Sequence, residues 1–229
     1  MANHDVDVAI LGGGLAGNLL ARQLRRALPD VRIAMFEKAS ERSYKVGEST
    51  VEIASNYLNR RLGLSQYLYD QQLPKNGLRF FFDTAQKDGE LEALSEMGSV
   101  ALPYHPSFQI DRARIEADLH ELNQADGVDV RMGVQVRDLM LGSGGAAHTF
   151  AVADGSGAAS AWRSRWVVDA AGRANLIARQ KSLRCPEPEH SISAVWGRFR
   201  HVRDIDDLGS DRFRARVRYT SRGLSTIHF

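Results

Sequence analysis

The 229 residues include a single cysteine, Cys185, so an internal disulfide framework is excluded and a reducing compartment suits the chain. Cys185 stands beside Pro186 and reads as a passive thiol rather than a nucleophile. Net charge is nearly absent too. Thirty Lys and Arg against 28 Asp and Glu leave +2, which makes neither nucleic acid nor an anionic membrane an expected partner. No segment approaches the roughly 18 apolar residues of a membrane span, and Met1 to Asp5 lack the basic stretch and apolar run of a secretory signal. Seven histidines are scattered without paired ligand spacing, which argues against a metal site. No Ser/His/Asp order stands out, and no internal repeat is visible. The expectation is a cytoplasmic globular protein whose 43% hydrophobic content fills one large domain, or one domain with a small appendage.

What is present begins at Val6. The apolar run Val6 to Leu11 leads into Gly12-Gly13-Gly14-Leu15-Ala16-Gly17, a G-x-G-x-x-G turn formed by Gly12, Gly14 and Gly17. Such spacing puts one glycine in a tight bend, one where backbone N–H groups approach a pyrophosphate, and one where helix and strand pack closely. The following helix turns its unpaired N–H groups and positive dipole end toward the anion. Leu15, Leu19, Leu24 and Leu28 fall along one side of that helix before Pro29-Asp30 stops it. A second strand, Arg32 to Glu37, ends in an acid able to accept hydrogen bonds from a ribose diol. Strand, turn, helix, strand and terminal acid in this order predict a dinucleotide site on a βαβ unit.

Further along, helical stretches are expected from about Val51 to Leu62 and from Ser65 to Gln72, and strands at 78–83, 128–132, 134–139, 149–153 and 166–169. Asp111 is placed to cap a helix whose Ile115, Leu119 and Leu122 share a face. Asp88 to Met97, with Glu90, Glu92 and Glu96, reads as a solvated polar excursion. Asp154 to Ser160 reads as one loop. The stretches 191–202 and 216–229 look strand-like, with late arginines (198, 200, 203, 212, 214, 216 and 218) alternating on an exposed side.

Taken together, Gly12-x-Gly14-x-x-Gly17, Glu37, Val46-Gly47-Glu48-Ser49, Gln109-Ile110-Asp111-Arg112 and Asp169-Ala170-Ala171-Gly172-Arg173 resemble the FAD-dependent oxidoreductases of the aromatic-hydroxylase type, and among them most closely the flavin-dependent halogenases. The resemblance covers nearly the whole chain. It implies an α/β, Rossmann-like FAD/NAD(P)-binding fold with a central parallel sheet, β-rich insertions and the start of a substrate-domain sheet. On that basis the FAD-binding domain takes 1–75 and 105–185, and a partial substrate-binding β region takes 76–104 and 186–229. The cofactor implied is FAD, held by Gly12, Gly14, Ala16, Gly17, Glu37, Lys38, Gly47, Glu48, Ser49, Arg112, Val136, Asp169 and Gly172. Gly47 to Ser49 correspond to a turn near the isoalloxazine. Arg112 matches an arginine that reaches the phosphate or ribityl region, its plainer reading being a surface arginine at a helix start. Asp169 either bonds polar flavin or ribityl groups or holds its own turn.

Leu73-Pro74-Lys75-Asn76-Gly77 resembles the segment whose lysine positions or carries oxidised halogen, which makes Lys75 the catalytic candidate. Its ammonium can hydrogen-bond hypohalous acid, or its neutral amine can form a haloamine if burial lowers its pKa; a solvated loop lysine is the alternative. The implied partners are a small aromatic or pyrrole-like substrate, a halide ion and a separate flavin reductase. Two family features are missing: the Trp-x-Trp-x-Ile-Pro segment and the downstream Gly-Asp motif. The expectation is therefore the N-terminal portion of a longer enzyme. A related flavin monooxygenase or prenyl-chain reductase, and a truncated non-catalytic FAD-binding module, are the competing readings.

Overall fold

A computed structural model describes residues 3–41, 43–83, 85, 89–101, 103–217 and 221–229; Met1, Asp88 and Arg218, named above, lie outside the described residues. In chain order the first elements are β1 (Asn3–Leu11), α1 (Leu15–Ala27) and β2 (Ile33–Glu37). Then come α2 (Glu52–Asn56), which continues as a wider π turn over Tyr57–Arg61, α3 (Ser65–Gln71), β3 (Leu73–Lys75), β4 (Leu78–Phe82), β5 (Ser95–Gly98) and β6 (Ser107–Gln109). The remainder comprises α4 (Arg112–Ala125), β7 (Asp129–Met132), β8 (Gln135–Met140), β9 (His148–Ala153), β10 (Ala159–Asp169), α5 (Leu176–Gln180), α6 (Asp211–Arg214) and β11 (Thr226–His228). The chain divides into two compact units, residues 1–45 with 112–193 and residues 46–111 with 194–229.

The first unit is built on a six-stranded sheet in the order β7-β2-β1-β10-β9-β8. The β7, β2, β1 and β10 strands run parallel, and β9 and β8 add an antiparallel edge. Alternate residues of β1 and β2 feed two cores. Ala9, Leu11, Ala34 and Phe36 pack with Phe150, Val152 and Trp162, while Val8, Ile10, Ile33 and Met35 pack with Ala21 and Val128. Strands covered on both faces read as near-continuous apolar runs, and this explains the Val8 to Leu11 and Ile33 to Phe36 sequences.

The side of α1 that goes deepest differs from the leucine stripe expected. Gly17, Asn18, Ala21 and Arg22 are buried, whereas Leu28 is exposed. Close approach of helix to sheet favours small side chains at 17 and 21, so the leucines flank the contact.

In the second unit β3 pairs with β6, and β4 lies between β5 and β11. Two expectations are corrected here. Residues 191–202 form neither strand nor helix, and of 216–229 only β11 is a strand among the described residues; Arg212 and Arg214 sit on α6 instead. Alternating sequence makes a strand only where a partner edge accepts its backbone hydrogen bonds, and Thr226 to His228 find one beside β4. Glu96 is also no solvated acid. It lies on β5, accepts hydrogen bonds from Arg222 Nε at 2.7 Å and Arg79 Nη1 at 2.5 Å, and its side chain is 6% exposed. Arg222 is bound to Asp206 at 2.6 Å as well, and its guanidinium stacks 3.9 Å over Phe213.

Candidate functional site

The parallel pairing of β1 with β10 sets Leu11 beside Asp169, so the glycine turn and the Asp169 to Gly172 turn leave the sheet side by side at the C-terminal ends of their strands. The Ala170 N–H donates to Leu11 O at 2.8 Å and ties the two turns together. Gly12 has φ +114°, and a Cβ there would lie 2.4 Å from Ala170 O. A Cβ on Gly17 would lie 2.0 Å from Gly12 O. Both positions tolerate hydrogen alone.

Around Gly14 the situation reverses. Nothing lies within 4 Å of its would-be Cβ, no side chain caps α1, and the first turn of the helix carries no acid. Uncapped N–H groups at the positive end of a 13-residue helix suit a pyrophosphate. Ala16 is exposed on this first turn.

Glu37, at the end of β2, accepts from Gly13 N at 2.7 Å and from Ala39 N at 2.8 Å. Its carboxylate keeps further lone pairs for a diol. It borders a cavity of about 270 Å³ shared with Gly12, Lys38, Val136 and Ala171, and a second of about 340 Å³ shared with Gly13, Lys45, Glu116 and His120. Asp169 accepts from Ala171 N at 3.1 Å and Ile177 N at 2.8 Å, so the holding of its own turn is the role the geometry displays. Gly172 follows with φ +58°. Arg112 opens α4, where its Nε donates to Glu116 at 2.9 Å; Lys45 Nζ reaches the same carboxylate at 2.6 Å.

In the second unit the Gly47 to Ser49 turn is stitched to β6. Ile110 N donates to Glu48 O at 2.7 Å, Ser49 forms a bridge with Gln109, and Thr50 Oγ1 both donates to Phe108 O at 2.6 Å and accepts from Phe108 N at 2.9 Å. Since β6 also pairs with β3, Lys75 is carried to the same place. The residue is 3% exposed, and its ammonium donates to Ser49 Oγ at 2.8 Å and Thr50 O at 2.5 Å. Burial pushes the Lys75 pKa below the usual lysine range, with Glu52 opposing in part. The solvated-loop alternative for Lys75 is thereby corrected: strand pairing draws it inward. Glu48 is paired with Arg198 at 3.1 Å, and Arg198 also reaches Asp111 at 3.2 Å.

Sequence reading gave little weight to His120 and none to Asn18 or Asn123. His120 Nε2 lies 2.7 Å from Gly13 O, Asn18 Nδ2 donates to the same oxygen at 2.7 Å, and Asn123 Nδ2 donates to Asn18 O at 3.0 Å. The His120 and Asn123 contacts link residues more than a hundred positions apart, and no local pattern announces them. Among the described residues no group of three or more His, Cys, Asp or Glu is placed to hold a metal ion, and no helix is long and apolar enough to cross a membrane.

Comparison with known proteins finds similar chains among flavin-dependent halogenases. Flavin-dependent halogenase chlA of Dictyostelium discoideum is 37% identical over 134 residues, which is 55% of this chain and 22% of that protein. The 1H-pyrrole-2-carbonyl-[peptidyl-carrier protein] chlorinase of Pseudomonas fluorescens is 27% identical over 85% of this chain and 45% of its own length. The chain thus spans less than half the length of these curated relatives. Among solved structures, halogenase PltM in complex with phloroglucinol and FAD shares the fold, with a TM-score of 0.72 and 16% identity over 97% of this chain and 46% of that one. The FAD binding domain family matches residues 5–216, so the chain belongs to that family and its cofactor is FAD.

Proposed function

We propose that this chain carries the cofactor-binding and halogen-handling residues of a flavin-dependent halogenase, which acts with O2 and halide on a small electron-rich aromatic or pyrrole-like ring. A separate flavin reductase supplies the reduced cofactor, and the setting is cytoplasmic. The observation that supports this reading most directly is Lys75, a buried ammonium set against the Gly47 to Ser49 turn. Reduced FAD, when bound, would activate O2, and O2 supplies the oxidising equivalents for halide. The first helical amides after Gly14 hold the pyrophosphate, Glu37 accepts the ribose diol, Lys38 and Val136 border the cofactor cavity, and Arg112 contributes charge at the head of α4.

Lys75 then has a defined task. Two of its donors are taken by Ser49 Oγ and Thr50 O, and the remaining N–H is directed to the oxygen of hypohalous acid, which orients the halogen toward the substrate. Its lowered pKa also raises the share of neutral amine, the form a haloamine requires.

Flavin fluorescence titration followed by product detection, with reduced FAD, bromide and an electron-rich phenol, tests the reading. Lys75→Met is expected to bind FAD as the parent does while brominated phenol falls by about 10²-fold. Undiminished bromination by Lys75→Met sinks the proposal.

A further inference from the structure

The glycine turn is held by side chains on three different elements. The Gly13 N–H is taken by Glu37 of β2, and its C=O receives His120 Nε2 of α4 and Asn18 Nδ2 of α1, each at 2.7 Å. A trans peptide sets its C=O and the following N–H in opposite directions. Two donors drawing the Gly13 carbonyl to one side therefore turn the Gly14 N–H to the other, and the space that a Gly14 side chain would take is open. Space around Gly13 is closed on both flanks, since a Cβ there would lie 2.8 Å from Glu37 Cβ and 2.9 Å from His120 Nε2.

Behind this contact Asn123, fully buried, braces Asn18 by donating to its backbone oxygen and its Oδ1. Asn123 does so although its own Oδ1 finds no donor among the described residues. Its bond gives the buried Asn18 Oδ1 a donor, which an apolar residue at 123 would remove, so the relay holds the Asn18 side chain in place as well as packing α1 against α4.

We propose that His120 is a positioning residue for the cofactor: by hydrogen-bonding Gly13 O it fixes the Gly13–Gly14 peptide plane and presets the Gly14 amide for the pyrophosphate. This rests on the FAD reading of the site. Because the bond ends on a carbonyl, the ring must donate from Nε2, a task that a glutamine amide reproduces and a leucine cannot.

The test compares the parent protein with His120→Leu and His120→Gln by flavin fluorescence titration, and follows exchange of the Gly13 amide in the ligand-free proteins by NMR. Loss of one orienting hydrogen bond in the leucine variant is expected to weaken FAD binding and speed Gly13 amide exchange by about tenfold each, with glutamine restoring both to within about twofold. Parent-like binding and exchange in His120→Leu, or failure of glutamine to restore them, overturns the proposal. Absence of FAD uptake by the parent defeats the cofactor reading instead. In that case Gly13 exchange decides the orienting role alone: unaltered exchange in His120→Leu overturns it, and faster exchange restored by glutamine supports it. Should the leucine variant not fold by circular dichroism, His120→Ala takes its place.

Discussion

At Gly14 the polar groups on offer are peptide amides at a helix end, with no side chain capping them, whereas in the second unit polarity is concentrated in buried charged side chains: Lys75 against Ser49 and Thr50, and Arg79 and Arg222 against Glu96. The two arrangements suit different chemistries. Backbone amides hold a polyanion with fixed geometry and no ionisation to manage, but they demand that nothing larger than hydrogen occupy the bends. Buried charges supply reactive or structural groups whose strength depends on exclusion of water, and they fail when one member is removed.

The comparison breaks most severely at Gly12. Gly12→Ala combines a positive φ with a Cβ 2.4 Å from Ala170 O, and is expected to cost about 4 kcal/mol in urea unfolding while abolishing FAD uptake. Next comes the charged cluster. Glu96→Ala leaves two guanidinium groups, each 1% exposed, without their shared carboxylate, for an expected loss of about 3 kcal/mol.

Acid sharpens this second result. Burial by itself raises the Glu96 pKa, but the hydrogen bonds and charges of Arg222 and Arg79 outweigh it and hold the carboxyl below its ordinary 4.5. A depressed carboxylate contributes its full stability above the unfolded value and loses it as pH falls through the folded one. The stability gap between parent and Glu96→Ala should therefore stay constant from pH 7 to 5 and narrow below about 4.5, as measured by urea melts at each pH.

A smaller effect is expected at the second turn of the first unit. Asp169→Ala frees the N–H groups of Ala171 and Ile177 and should cost about 1 to 2 kcal/mol in the same measurement, with FAD affinity reduced through the loosened turn. Smallest of all, Cys185→Ser on the exposed surface should change stability by less than about 0.5 kcal/mol and leave FAD titration unaltered.

Legibility in the sequence followed the range of the interaction. The βαβ start and the Asp169 turn can be read from neighbours a few positions apart, because strand alternation, glycine sterics and turn chemistry are local. The strands expected at 191–202 were not found, because pairing depends on an edge elsewhere in the chain. Glu96 looked solvated because its arginine partners lie 17 and 126 residues away.

The sequence alone determined where backbone must bend, where a helix begins with bare amides, and which acid ends β2, since Gly12, Gly14, Gly17 and Glu37 act through the conformations of their own short segments. Tertiary structure alone decided that Lys75 is buried, that Glu96 is shared by two arginines, and that His120, Asn18 and Asn123 converge behind the glycine turn. Those outcomes depend on packing between elements far apart in the chain, where burial rather than residue type sets the strength of a charge or a hydrogen bond.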